Sequence, residues 1–247
     1  GYDLTTNAAI TTAGAATFTS GEDMVFGDNF QAATITLSAA DLVTVAANKT
    51  ITSTGALSIT ADAIYETDTA SNAALISVGG ALTVDTSAAA GNAVLSSASD
   101  LIVNSLTANT SDTTTIATTG DKDLSTNAAI DVAGEVSLTA GNDMVFGNDF
   151  TAGTLTILAA DVITVASTNI VKTDGVQGTG DLGITADAIY EAGNAANAAL
   201  ISVAGALTID TSINTGNAVL SSVDALALAS IDGTAGGAPS ITPTGTA

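Results

Sequence analysis

Residues 55–66 read GALSITADAIYE, and residues 180–191 read GDLGITADAIYE. In the first, Leu57 and Ile59 alternate with Ser58 and Thr60, the period of two that a strand with one buried face requires. The alternation returns 19 residues later at Ile76 and Val78, and the same step leads from Leu82 and Val84 to Leu101 and Val103. In the second stretch Leu182 and Ile184 lead to Ile201 and Val203, and Leu207 and Ile209 lead to Leu226 and Leu228. Gly, Asn, Asp and Ser-Ala clusters suited to turns separate these short strands. Stacked turn on turn, they make parallel sheets around a narrow interior. The expected fold is all-β, a parallel β-helix (β-solenoid) with rungs of about 19 residues and roughly twelve rungs over residues 4–231. It places Leu57 beneath Ile76 and Leu82 beneath Leu101. A β-sandwich also has short alternating strands, but nothing in it maintains a fixed offset between apolar pairs.

The rungs belong to a longer tandem repeat. Residues 4–46 align without gaps on 124–166, with 25 of 43 positions identical, and residues 61–97 align on 186–222, with 28 of 37 identical. LTTNAAI returns as LSTNAAI, EDMVFGDNF as NDMVFGNDF, and GNAVLSS unchanged. The offset grows from 120 to 125, so five residues are inserted within 168–181, a Gly-rich polar stretch that reads as an expanded loop. The chain divides into a first solenoid unit over 1–120, a second, continuous unit over 121–232, and a Gly/Pro/Thr-rich tail or linker over 233–247.

Composition narrows the function. Three basic residues (Lys49, Lys122, Lys172) stand against 25 acidic ones, a net charge of −22, and there is no Cys, His, Trp or Arg. Such a polyanion repels nucleic acid. Thiolate or imidazole metal sites, histidine-dependent nucleophiles and arginine clamps are outside its repertoire. No apolar run approaches the roughly 18 residues of a membrane span, so direct membrane insertion is not expected. Aromatics are 3% of the residues while 46% are hydrophobic, which suits a thin core of Ala, Val, Ile and Leu.

GALSITADAIYE, GALTVDTS, GDLGITADAIYE and GALTIDTS resemble the glycine-leucine strand repeats of filamentous-haemagglutinin-like bacterial surface proteins. The resemblance covers most of residues 4–231. It implies a right-handed β-helical shaft, export to the cell surface or beyond, and a structural or adhesive role toward neighbouring copies or host-cell and matrix glycans. It implies no catalytic residue.

Two motifs carry groups capable of chemistry. GEDMVFGDNF and its copy GNDMVFGNDF place Asp23 and Asp28, and Asp143 and Asp149, beside glycines; such hard oxygen ligands suit calcium. The spacing matches no standard calcium loop, and the same residues suit Asx turns around core Met24, Phe26 and Phe30. ADAIYE and its neighbours supply Asp62, Glu66 and Asp68, and in the copy Asp187 and Glu191, a carboxylate supply that a polysaccharide-active enzyme would use. Tandem duplication and the lack of Trp favour solvated turn charges there. The composite expectation is a non-enzymatic, acidic shaft that requires no cofactor.

Overall fold

The computed structural model describes residues 1–66, 73–166, 168–176, 178–191, 199–213, 216–233 and 239–243, and among them every regular element is a strand. The first turn runs through β1 (Leu4–Thr6), β2 (Ile10–Thr11) and β3 (Ala15–Thr19), and the second through β4 (Met24–Phe26), β5 (Phe30–Ala32) and β6 (Thr34–Ser38). The third holds β7 (Leu42–Val45), β8 (Ile51–Ser53) and β9 (Leu57–Thr60), and the fourth β10 (Ala63–Glu66), β11 (Ala74–Val78) and β12 (Ala81–Thr86). Three strands, β13 (Ala93–Ser97), β14 (Leu101–Ala108) and β15 (Thr113–Thr118), close the first copy. The second copy contains β16 (Leu124–Thr126), β17 (Ile130–Ala140), β18 (Met144–Phe146), β19 (Phe150–Ala159), β20 (Val162–Val165), β21 (Ile170–Thr173) and β22 (Leu182–Thr185). It continues through β23 (Ala188–Glu191), β24 (Ala199–Val203), β25 (Ala206–Thr211), β26 (Val219–Ser222), β27 (Ala227–Gly233) and β28 (Ser240–Pro243).

Each turn places three strands on three faces: β1, β4, β7 and β10 form one, β2, β5, β8 and β11 the second, and β3, β6, β9 and β12 the third. One parallel ladder climbs without a break from Leu4 to Gly233. Alternate side chains point inward; in β12, Leu82, Val84 and Thr86 are buried while Ala81, Thr83 and Asp85 are less so. The result is a β-solenoid of about 10 turns.

Rungs are spaced about 21 residues apart rather than 19. A 19-residue step does stack Val43 on Met24 and Ile163 on Met144. Leu57, however, lies under Leu82, and Ile76 lies between Ile51 and Ser97 on another face. Leu82 meets the expected strand two residues out of register, against Val103. The ladder and the inward packing fix which residues stack, whereas corner lengths are free to vary. Offsets between apolar pairs therefore mix steps along the rod with steps around it. Ala93 stacks on Ile64 and Leu95 on Ala74, so ten residues below correspond to two above. The second copy repeats this: Ala218 bridges Ile189, and Leu220 stacks on Ala199. The five-residue insertion lies between Thr173 and Leu182, where Gly175, Gly178 and Gly180 all have positive φ.

The two copies do not present equivalent residues on the same side of the rod. β11 is continued upward by β13 through three pairs, with β10 adding the single pair Ile64 and Ala93, and then by β15, the later half of β17 and β19, so the second face of copy one is covered by the third face of copy two. Conversely, β12 is continued by β14 and then by β16, β18, β20 and β23, so the third face of copy one carries the first face of copy two. Met24 and Phe26 thus stand in one sheet, and their counterparts Met144 and Phe146 in the other. The second copy is turned by one face relative to the first.

Aromatic side chains meet in the interior of both copies. Phe18, Phe26 and Phe30 come from three faces, with ring centroids 6.1 Å apart for Phe18 and Phe26, 5.1 Å for Phe18 and Phe30, and 5.4 Å for the stacked pair Phe26 and Phe30. Copy two keeps one such pair, Phe146 and Phe150, edge to face at 5.5 Å. Leu138 occupies the position equivalent to Phe18. The glycine of GNAVLSS has a steric reason to recur: a Cβ on Gly91 would lie 2.3 Å from the Asp62 carbonyl oxygen, and one on Gly216 would lie 2.1 Å from that of Asp187.

One corner is strained in one copy only. Asn48 has φ 60° and its counterpart Thr168 has φ 72°; Asn tolerates the left-handed region, whereas a β-branched residue there is an outlier. The turn is otherwise the same, with Lys49 N–H donating to Ala46 O and Asn169 N–H to Ala166 O, both at 3.0 Å. Thr168→Asn is expected to stabilise the protein by about 1 kcal/mol, measured by urea denaturation followed by far-UV circular dichroism. An unchanged midpoint would show that the corner carries no strain.

Candidate functional site

The acidic residues of the two motifs lie at the corners, and an aspartate directly precedes the first strand of the first four turns of each copy: Asp3, Asp23, Asp41 and Asp62, then Asp123, Asp143, Asp161 and Asp187. At a corner the backbone leaves the ladder and its N–H groups need acceptors. The carboxylates supply them across turns. Asp3 Oδ1 accepts from Asp23 N–H at 3.3 Å, and Asp23 Oδ1 from Leu42 N–H at 3.3 Å. Across the junction Asp100 accepts from Asp123 N–H at 3.2 Å, and within copy two Asp123 accepts from Asp143 N–H at 3.2 Å and Asp143 from Val162 N–H at 3.1 Å. Asp187 accepts from Gly216 N–H at 2.9 Å. These carboxylates act as brackets that fasten one turn to the next at Asp3, Asp23, Asp100, Asp123, Asp143 and Asp187.

Stacking like charges has an electrostatic consequence. Burial pushes the Asp143 carboxyl above its ordinary pKa, the Val162 N–H opposes that shift, and the charges of Asp123 and Asp161 add to it. Asp123 is partly compensated by the Asn142 amide, which donates to it at 2.8 Å. The other perturbed carboxyls shift the opposite way. Asp28 is lowered by the Lys49 ammonium hydrogen-bonded to it at 2.8 Å and then by Asn29 N–H. Asp181 is lowered by Ala206 N–H and Thr179, and Asp210 by Ser212. By linkage, the stabilising contribution of Asp28, Asp181 and Asp210 is present above the unfolded carboxyl pKa and is lost as pH falls through their lowered values. That of Asp143 is present below the unfolded pKa and is lost as pH rises through its raised one.

The candidate calcium ligands lie at opposite ends of a strand. Asp23 precedes β4 and Asp28 follows it, five positions on, or roughly 16 Å along extended backbone. Asp143 and Asp149 flank β18, six positions apart. Asp28 is paired with Lys49, and Asp149 Oδ1 accepts from Ile170 N–H at 2.8 Å, the bracket that Asn29 makes to Thr50 at 3.0 Å in copy one. Among the described residues no three acidic side chains converge as a metal cage. Of the ADAIYE carboxylates, Asp62 and Asp187 take corner positions. Glu66 and Glu191 end their strands with side chains outside the described residues, where Asp68 also lies.

No family model, curated protein or solved structure matches the chain. No helix among the described residues is long and apolar enough to cross a membrane.

One grouping was not legible in the sequence. On the outer surface of copy two, Lys172 stands between Thr151 below and Ser202 above, in a shallow groove also lined by Asp149, Ile170 and Asp224. The Ser202 hydroxyl donates to the Asp224 carboxylate. Only the stacking of turns brings Lys172 and Asp224 together, and no local motif announces it. The corner brackets did leave a trace, because an aspartate precedes an apolar residue at the head of the first four turns of each copy.

Proposed function

We propose that the chain is a non-enzymatic structural repeat module of an extracellular bacterial fibre, adhesin or surface coat, akin to the filamentous-haemagglutinin-like shafts whose repeats it resembles. The observation that carries this reading is the unbroken ladder from Leu4 to Gly233, built from two tandem copies of one unit. Such a rod sets distance along its axis and presents corners and outer faces to solvent. Its carboxylates serve as turn brackets and as an acidic skin that keeps neighbouring rods apart. In this reading no cofactor is needed, and the partners are neighbouring copies or repeats, with host-cell or matrix glycans at the surface.

An antibody raised against the purified chain is expected to label intact, unpermeabilised cells of the organism that makes it. Labelling only after permeabilisation would overturn an extracellular role. Turnover of an acidic or neutral glycan that Asp62→Asn or Glu66→Gln abolishes would replace the shaft with a polysaccharide-active enzyme.

A further inference from the structure

The junction inside the chain shows how one repeat unit seats on another, and both of its surfaces recur at the ends of the described rod. On the lower side of the junction, β12 pairs with β14 through Ala81 and Ile102, Leu82 and Val103, then a bulge, then Val84 and Leu106. At the upper end of the rod, β25 pairs with β27 through Ala206 and Ala227, Leu207 and Leu228, a bulge at the same place, then Ile209 and Ile231. Likewise Val94 and Leu95 pair with Thr115 and Ile116, as Val219 and Leu220 pair with Ser240 and Ile241. Every one of these partners is displaced by 125 residues. The upper end is therefore the same surface as the top of copy one, strand for strand.

What differs is the cover. Val103 and Leu106 are 1% and 3% exposed because copy two sits on them, whereas their counterparts Leu228 and Ile231 are 50% and 37% exposed. The lower end mirrors this. Leu124, Ile130 and Leu138 are buried under the junction, while their counterparts Leu4, Ile10 and Phe18 are only partly buried.

We propose that the upper end of one chain docks on the lower end of a second copy of this chain in the register of the internal junction, each copy turned by one face. The inference rests on the reading of the chain as a shaft module and specifies that module's partner. At the junction, Leu101, Ile102 and Val103 pair with Leu124, Ser125 and Thr126. Shifted to the ends, this sets Leu226, Ala227 and Leu228 of one chain against Leu4, Thr5 and Thr6 of the next. An unturned contact would instead set like face on like face, with β27 on β3. Both chains carry −22 charges, so docking is opposed at low ionic strength and favoured as salt screens the repulsion.

The chain contains no cysteine, so engineered thiols report the register directly. Partners in neighbouring parallel strands stand about 4.8 Å apart, within disulfide range. Thr5→Cys and Ala227→Cys fall on exposed positions and leave the core intact. Oxidising a mixture of the two single variants is expected to give disulfide-linked dimers at least fivefold more abundant than mixtures of Thr17→Cys with Ala227→Cys. The yield should rise severalfold between 50 and 500 mM NaCl. The Thr5→Cys/Ala227→Cys double variant should form a ladder of covalent oligomers. Equal yields from the two mixtures would overturn the turned register. No dimer in either, together with a monomeric unmodified chain by sedimentation velocity at high salt, would overturn docking altogether. Neither result would bear on surface labelling of cells, so the shaft reading stands or falls separately.

Discussion

Phe26→Ala is expected to lower the stability of the chain by about 3–5 kcal/mol, the usual cost of emptying a buried aromatic site. Phe26 is fully buried on β4, with Thr6 beneath it in the ladder and Val45 above, so the cavity would be enclosed along the axis as well as across it. Two rings line that cavity, Phe18 edge-on and Phe30 stacked. Phe146→Ala provides the internal comparison, since Phe146 is equally buried but has only Phe150 within aromatic contact. The difference between the two variants should reflect one aromatic pair, about 0.5–1.5 kcal/mol. Urea denaturation followed by far-UV circular dichroism measures both. Equal losses would show that the ring contacts add nothing beyond buried area. A loss below 1 kcal/mol for Phe26→Ala would contradict the packing described for this turn.

Asp112→Ala is expected to cost about 3 kcal/mol, because a buried carboxylate that accepts two backbone hydrogens leaves both unsatisfied when removed. Asp112 is 2% exposed. One oxygen accepts from Gly91 N–H at 2.9 Å in the turn below, and the other accepts from Asn109 N–H at 3.0 Å, which closes its own corner. Its carbonyl accepts from Glu135 N–H at 3.1 Å in the turn above. Asp112 therefore ties three successive turns at the place where the faces change hands between the copies. Asp112→Asn should lose roughly half as much, because one oxygen remains to accept while the amide NH2 opposes the other donor. The same denaturation series tests the order Ala, Asn, wild type. If the two variants are indistinguishable, the second hydrogen bond does not contribute.

The strands and the solenoid were legible because inward and outward residues alternate strictly in segments such as Leu57–Thr60 and Ala81–Thr86, and because the unit occurs twice. The expanded corner between Thr173 and Leu182 was equally visible, as a change of offset. The partner of Leu57 was not recoverable from apolar spacing, which pointed to Ile76. Nineteen residues on from Leu57 is a different face of the next turn, and the residue that stacks on Leu57 is Leu82, 25 positions on. The turned seating of copy two was also hidden, since identity between Met24 and Met144 says that a position recurs and not toward which side of the rod it faces. Asp112 escaped notice for a related reason. It has no counterpart among the repeated motifs, and its role depends on Gly91 and Glu135, which approach it only once the turns are stacked.

The continuous ladder also sets how this rod responds to force. Its backbone hydrogen bonds point along the axis, so tension applied to the two ends pulls on them in the direction in which they open. Load falls on the terminal turn alone, and turns peel off one after another instead of sharing the strain as strands sheared past each other would. Each turn of about 21 residues replaces about 4.8 Å of rod with roughly 70 Å of extended chain. A solenoid built this way lengthens under tension in repeated small failures and keeps its two ends connected throughout.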